Sequence, residues 1–210
     1  MTLLRIDATI QGPASASAAL ADLVVEEYLA HRPGEEVRTR HLGNDPLPAD
    51  AWARAVGAGF VLESERTPAQ VEAVALAGRL VAELQQADAV VLAFPLYNFG
   101  VSQHVKAWFD LVIAGAPAGT ALLDGKPVVV VTTRGGAYGP GTPRAGWDHS
   151  TDFLRRIVAD LWGAELTIVE REFTLVGVNP ALDEFTEMAA LMKTEAEEAA
   201  VIAGRSLAGR

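Results

Sequence analysis

Four short runs of apolar, largely β-branched residues recur along the 210-residue chain, at 3–6, 89–93, 128–132 and 166–169, with helix-length segments between them. In those segments Leu, Val and Ala fall at helical spacing. Strands that alternate with helices pair in parallel, because each connection has to cross back over the sheet, and such a sheet needs helices on both faces. A fifth strand is expected at 36–40, the one β-prone stretch between a first helix at 17–31 and the loop 43–50. Its polarity makes it an edge strand. The second long helix opens on Thr67-Pro68-Ala69-Gln70, an N-cap, a proline at the first helical position and a glutamine placed to complete a capping box, and runs to 86. A third helix starts near Ser102 and turns Val105, Phe109, Leu111 and Val112 inward; a fourth covers 151–161 and a fifth 182–203. Residues 52–66 read as an inserted helix plus loop, since Gly57 and Gly59 weaken a helix while Phe60, Val61 and Leu62 call for burial. Five strands alternating with five helices predict one α/β domain over residues 1–210, a three-layer doubly wound sandwich with a parallel sheet in the order 2-1-3-4-5.

Composition narrows the function. The longest apolar stretch, 87–101, is broken by Asp88, Pro95, Asn98 and Gly100 well short of a bilayer span, so no membrane segment is expected. Residues 1–10 lack the order of a secretory signal and read as the first strand. The absence of cysteine removes disulfides, thiolate chemistry and Cys-based metal sites together, and fits a cytoplasmic protein. Any redox chemistry then has to come from a cofactor. A net charge of −10 disfavours nucleic acid and anionic membranes, which demand clustered Lys and Arg. It does not exclude a phosphate ligand, since backbone N–H groups at a helix start hold one without a basic side chain. Glu184, Glu187, Glu195, Glu197 and Glu198 fall largely on one side of the last helix, as a solvated face.

In an open doubly wound sheet, ligands bind beyond the carboxyl ends of the strands where the strand order reverses. Three loops occupy that edge, 8–16, 94–101 and 133–146, and they are the loops richest in Gly, Pro, Ser, Asn and aromatic residues. The first leads into the first helix through Ser15-Ala16-Ser17, a phosphate seat or ordinary serine capping. It holds neither a Walker lysine nor a G-x-G-x-x-G fingerprint. In the second, Pro95-Leu96-Tyr97-Asn98-Phe99-Gly100, exposed rings call for a flat partner, unless Tyr97 and Phe99 pack on the following helix. Asn98 offers a donor and an acceptor to a heterocycle whose edge alternates N and O groups. The third, from Thr132 to Gly141, has glycines where a backbone comes close to a ligand, or merely turns.

These residues resemble a known family. Pro95-Leu96-Tyr97-Asn98-Phe99, with the helix that follows through Lys106, Phe109 and Asp110, looks like the proline, apolar residue, Tyr-Asn-Phe segment of the FMN-dependent NADH-azoreductases and related NAD(P)H:quinone oxidoreductases of the flavodoxin-like superfamily. Thr133-Arg134-Gly135-Gly136 is similar to that family's Ser/Thr-Arg-Gly-Gly turn, and Thr9 with Ser15-Ala16-Ser17 to its phosphate-binding hydroxyls. The resemblance implies a flavodoxin-like fold and FMN as cofactor, with Thr9, Ser15, Ala16 and Ser17 at the phosphate. Pro95, Leu96, Tyr97, Asn98 and Phe99 would lie along the isoalloxazine, and Thr133, Arg134, Gly135 and Gly136 at its other polar edge. It also implies NADH or NADPH as electron donor, a small aromatic quinone or azo acceptor, and a homodimer.

The flavin carries the chemistry in such enzymes, so no side chain is obliged to act as acid or base. Tyr138 and His149 are the candidates for an auxiliary catalytic role, because the segment 137–149 is longer than in the simplest members and ends in Trp147-Asp148-His149. That end is either a substrate lid or, through Asp148, a helix cap. No metal site is expected, since no His here has matching ligands. Two other functions compete on the same scaffold: a flavin electron carrier without its own substrate pocket, and a tailoring enzyme of secondary metabolism.

Overall fold

In the computed structural model, which describes residues 1–209, five strands pair in parallel in the order β2-β1-β3-β4-β5. Arg210, the last residue of the expected domain span, lies outside the described residues. The strands are β1 (Thr2–Asp7), β2 (Glu36–His41), β3 (Ala89–Ala93), β4 (Pro127–Thr133) and β5 (Glu165–Arg171). The helices are α1 (Ala16–His31), α2 (Ala51–Ala58), α3 (Pro68–Gln86), α4 (Gln103–Gly115), α5 (Thr151–Arg155) and α6 (Thr186–Ala208). The expected strand order and the inserted helix are both present.

Side chains along a strand point alternately to opposite faces, and the central strands divide accordingly. Leu4, Ile6, Val90, Leu92, Val128 and Val130 pack under α3, α4 and α5. Their neighbours Leu3, Ala89, Val91, Ala93, Val129 and Val131 pack under α1 and α6. Both faces are apolar because both are covered, which is why β3 and β4 read as unbroken hydrophobic runs. Each such Val or Leu adds about 1.5–3 kcal/mol on burial. The edge strand β2 is mostly exposed, as its polarity required.

The second face allows a close helix pair. A stripe of small residues on α6, Ala196, Ala200, Ala203 and Gly204, lies against α1, and a Cβ on Gly204 would stand 2.5 Å from the carbonyl oxygen of Val24. Local signals hold where they were legible. Thr67 and Gln70 form both bonds of the capping box of α3, and the Ser102 hydroxyl accepts from the N–H of Val105 at the start of α4. Lys126 closes the far end of α3 by donating to the carbonyls of Leu84, Gln85 and Ala87 at 3.2, 2.6 and 2.8 Å.

Two helices depart from expectation. The fourth begins at Thr151, but from Arg156 to Leu161 it widens into a π-helix, with the Trp162 N–H bonded to the Ile157 carbonyl. Trp162 thereby reaches the core, its ring 5.8 Å from that of Trp108 and 5.3 Å from Phe109. The last helix is preceded by a 3₁₀ turn over Pro180–Phe185, capped by Asn179, so that its α-helical part starts at Thr186 and extends to Ala208.

Candidate functional site

At the carboxyl ends of β1, β3, β4 and β5 the connecting loops enclose an open cleft of about 270 Å³. Ser15 and Ala16 come from the first loop, Pro95 to Phe99 from the second, and Thr133, Gly135 and Tyr138 from the third. The three loops picked out from sequence therefore meet at one site.

The first loop enters α1 with Ser15 as its N-cap, the hydroxyl accepting from the Ala18 N–H at 3.2 Å and lying 3.1 Å from the Ser17 hydroxyl. The capping alternative for Ser15 is present, and it leaves the backbone N–H groups of Ala16 and Ser17 without a partner among the described residues. Two free donors, two hydroxyls and the positive end of a 16-residue helix could hold an anion, and Arg171 and Lys193 line a hollow beside Ser15 and Ala16. Thr9 and Ser17 are buried beneath the cleft rather than lining it. Thr9 accepts from the Gln11 N–H at 3.1 Å and so fixes the loop's course.

In the second loop, Tyr97 and Gly100 exchange backbone hydrogen bonds of 3.1 and 3.0 Å around Asn98 and Phe99, whose φ angles are 49° and 69°. Positive φ at both central residues is what a type I′ turn requires, and such turns ordinarily carry glycine in the second place. Holding Phe99 there costs on the order of 1–2 kcal/mol. The strain lifts Asn98 and Phe99 outward from the sheet; Asn98 is exposed and its amide makes no hydrogen bond among the described residues. Phe99, 41% exposed, leans on Trp147 and Tyr138 at 5.5 and 6.4 Å rather than only on the helix behind it. Tyr97 ties the first two loops together, its hydroxyl 3.3 Å from the Ile10 N–H and 3.4 Å from the Thr9 hydroxyl.

The third loop divides its motif. Thr133 and Gly135 face the cleft, whereas Arg134 is buried and turned away from it. Its guanidinium donates to Asp148 at 2.8 Å, to Thr151 at 2.9 Å and to Glu170 at 2.9 Å, with Glu172 at 3.7 Å. Burial works against the Arg134 charge, but Glu170 and Asp148 hold its pKa above the ordinary value. Asp148 is in turn the cap of α5, accepting from the N–H groups of Ser150 and Thr151 at 2.7 and 2.9 Å. Burial alone would raise the Asp148 carboxyl; the hydrogen bonds from Thr151, Ser150 and Arg134 outweigh it and hold the group below the usual carboxylate range. Gly136 backs onto Arg144 instead of the cleft.

Of the auxiliary candidates, Tyr138 lines the cleft, while His149 is exposed beside it and is fixed by its backbone N–H bond to the Phe99 carbonyl at 2.9 Å. Sequence reasoning missed four lining residues: Gln11, Arg144, Thr174 and Leu175. The last two follow β5 and were reachable by applying the strand-end rule to that strand as well. Leu175 covers Gly135 so closely that a Cβ there would lie 2.6 Å from a Leu175 methyl. That fourth loop is laced to the third by the Thr174 and Leu175 N–H groups, which donate to the carbonyls of Arg134 and Gly135 at 3.1 and 3.2 Å.

Known proteins resemble this chain along nearly its whole length. A model of the flavodoxin-like fold family matches residues 1–193. An FMN-dependent NADH:quinone oxidoreductase of Parafrankia sp. (strain EAN1pec) is 36% identical over 203 residues, covering 94% of this chain and 96% of that protein. One of the same description from Streptomyces avermitilis is 36% identical over 213 residues, covering 100% of this chain and 98% of its own length. Among solved structures, an FMN-dependent NADH-azoreductase from Bacillus anthracis in complex with FMN superposes with a TM-score of 0.75 at 21% identity over 99% of each chain, which shows the common fold. With the family model and relatives above 30% identity spanning nearly its whole length, the chain belongs to the flavodoxin-like fold family.

Proposed function

We propose that this chain is an FMN-dependent NAD(P)H oxidoreductase that passes two electrons from a nicotinamide to a quinone or azo-aromatic acceptor. The observation that carries it is the meeting, in one cleft, of unpaired backbone donors at the start of α1 and an outward-held Asn98-Phe99 turn. The relatives described as FMN-dependent NADH:quinone oxidoreductases support it across almost the full chain.

The residues present fit FMN. The free N–H groups of Ala16 and Ser17 with the Ser15 hydroxyl suit its phosphate, and the unbonded Asn98 amide suits the alternating donors and acceptors of its pyrimidine edge. Pro95, Leu96 and Phe99 supply an apolar wall, and Thr133 and Gly135 a polar edge opposite. When bound, FMN supplies acceptance of a hydride from the nicotinamide and delivery of an electron pair to the acceptor. The protein's own work is positional. Tyr97 holds the first two loops in register, and the Arg134 cluster fixes the third. Neither Tyr138 nor His149 is needed as acid or base. In this reading the whole chain, residues 1–210, serves as one FMN-binding domain.

The same reading extends to a cytoplasmic homodimer. A second copy would cover the exposed Trp52, Phe60 and Leu62 on and after α2, and a surface of such side chains is characteristic of an interface. Light scattering on the purified protein tests the assembly. The function is tested by adding NADH anaerobically to the FMN-loaded protein: the visible flavin band bleaches, and menadione restores it. A band that NADH leaves unchanged, while dithionite bleaches it, would mark an electron carrier instead.

A further inference from the structure

The cleft is neutral along almost all of its lining: serine, glutamine, asparagine and threonine supply polarity, and the rest is apolar or aromatic. Arg144 is the one fully charged side chain among the described residues that line it, and no carboxylate faces it there. Its guanidinium lies 5.6 Å from the centre of the Tyr138 ring, with Nη1 3.4 Å from the Tyr138 hydroxyl, and it forms no ion pair among the described residues. Five N–H donors in a fixed plane are thus mostly unanswered by protein.

The arginine is also held in place. It sits on the loop 134–148, whose two ends are joined by the Arg134–Asp148 ion pair. Near its start, the Tyr138 N–H donates to Glu172 at 2.8 Å. The Arg144 carbonyl accepts from the N–H of Trp147, the residue that meets Phe99. By these contacts Arg144 belongs to the aromatic wall of the cleft and not to the serine seat at α1, which has its own donors. A chain of net charge −10 repels anionic aromatic compounds in general, and Arg144, exposed on the wall of the cleft, is the cation that an entering one would meet.

We infer that Arg144 is a specificity residue for the acceptor, its guanidinium receiving a carboxylate or sulfonate carried on the acceptor's aromatic ring. This rests on the proposed function and names the acceptor class of the same site. A planar guanidinium stacked on tyrosine pairs with such a group through two parallel N–H donors, which a lysine ammonium cannot reproduce.

The test compares 1,4-naphthoquinone with its 2-sulfonate as acceptors for the FMN-loaded wild type, Arg144→Gln and Arg144→Lys. Taking the ratio of kcat/KM for the two acceptors in each protein cancels their intrinsic reactivities. The sulfonate-to-neutral ratio falls roughly tenfold in Arg144→Gln, the size of one lost charge-assisted hydrogen bond, and Arg144→Lys recovers part of it. Loss of the same factor on both acceptors overturns the inference. So does a change in the ratio of FMN to riboflavin dissociation constants in Arg144→Gln, read by flavin fluorescence, because it would put the cation on the cofactor phosphate. A wild type that loads FMN and reduces both quinones, with a ratio that Arg144→Gln leaves intact, overturns this inference alone. A wild type that takes up no FMN overturns the functional reading and the inference with it.

Discussion

In the loop after β1 the donors at the helix start stay unpaired beside the cleft, whereas in the loop after β4 the arginine of the Arg-Gly-Gly turn is turned inward. Ala16 and Ser17 keep their N–H groups free at the start of α1. Arg134 is closed among Asp148, Thr151 and Glu170. Both loops carry a motif of the same family and both border the same cleft. One offers its backbone to the cleft; the other fastens its own long segment through Arg134 and leaves the lining to Thr133, Gly135, Tyr138 and Arg144. A motif therefore locates a loop more securely than it assigns each of its side chains a ligand.

The sharpest way to break this contrast is Arg134→Met. Removing the cation leaves the largely buried Asp148 and Glu172 side chains without their partner, and about 3–5 kcal/mol of stability should go with it. Urea denaturation measures the loss, and adding Asp148→Asn should recover part of it. An unchanged midpoint would mean that the cluster does not hold the loop. Next in size, replacing Ser15 and Ser17 together by alanine should weaken FMN on the order of 10–100-fold, since Ser15 is the one of the two that lines the cleft and a hydroxyl lost at a charged group is worth about 1.5–3 kcal/mol. Riboflavin, which lacks the phosphate, should lose little affinity. Equal losses for both flavins would remove the phosphate from α1.

Asn98→Ala should weaken FMN and riboflavin alike, by roughly tenfold for one hydrogen-bonded edge. Phe99→Gly tests the strained turn separately. Relief of a left-handed phenylalanine should return about 1 kcal/mol of stability while the aromatic contact is lost, a split visible as a raised Tm with weaker flavin binding. The smallest effect is on acid stability. Asp148 is held below its ordinary pKa in the folded chain, so its contribution is fully present above the unfolded value of about 3.9 and is lost as the pH falls through the lower folded value. Asp148→Asn should flatten the stability curve in that acid range; an identical slope would contradict the assignment.

The inserted helix and the capping box at Thr67 were legible because they depend on neighbours within a few residues, and the strand order followed from the alternation of strands and helices. Periodicity alone located β3 and β4, and the strand-end rule then located the cleft. What escaped depends on distant partners. Arg134 turns inward because Glu170 stands on β5 and Asp148 caps α5, and neither is visible from the Arg-Gly-Gly motif. The Asn98-Phe99 turn was hidden because phenylalanine occupies a place where glycine is the usual signal. Arg144 gave no signal at all: a lone arginine in a loop becomes informative only when its surroundings prove neutral.

The most direct test is an equilibrium titration of FMN into the flavin-free protein, followed by quenching of flavin fluorescence. Saturation at one FMN per chain, with binding weakened by both the Ser15/Ser17 double alanine variant and Asn98→Ala, is expected if the loops after β1 and β3 grip a single molecule. A protein that shows no saturable uptake, or one whose uptake both variants leave intact, would place the flavin elsewhere or nowhere.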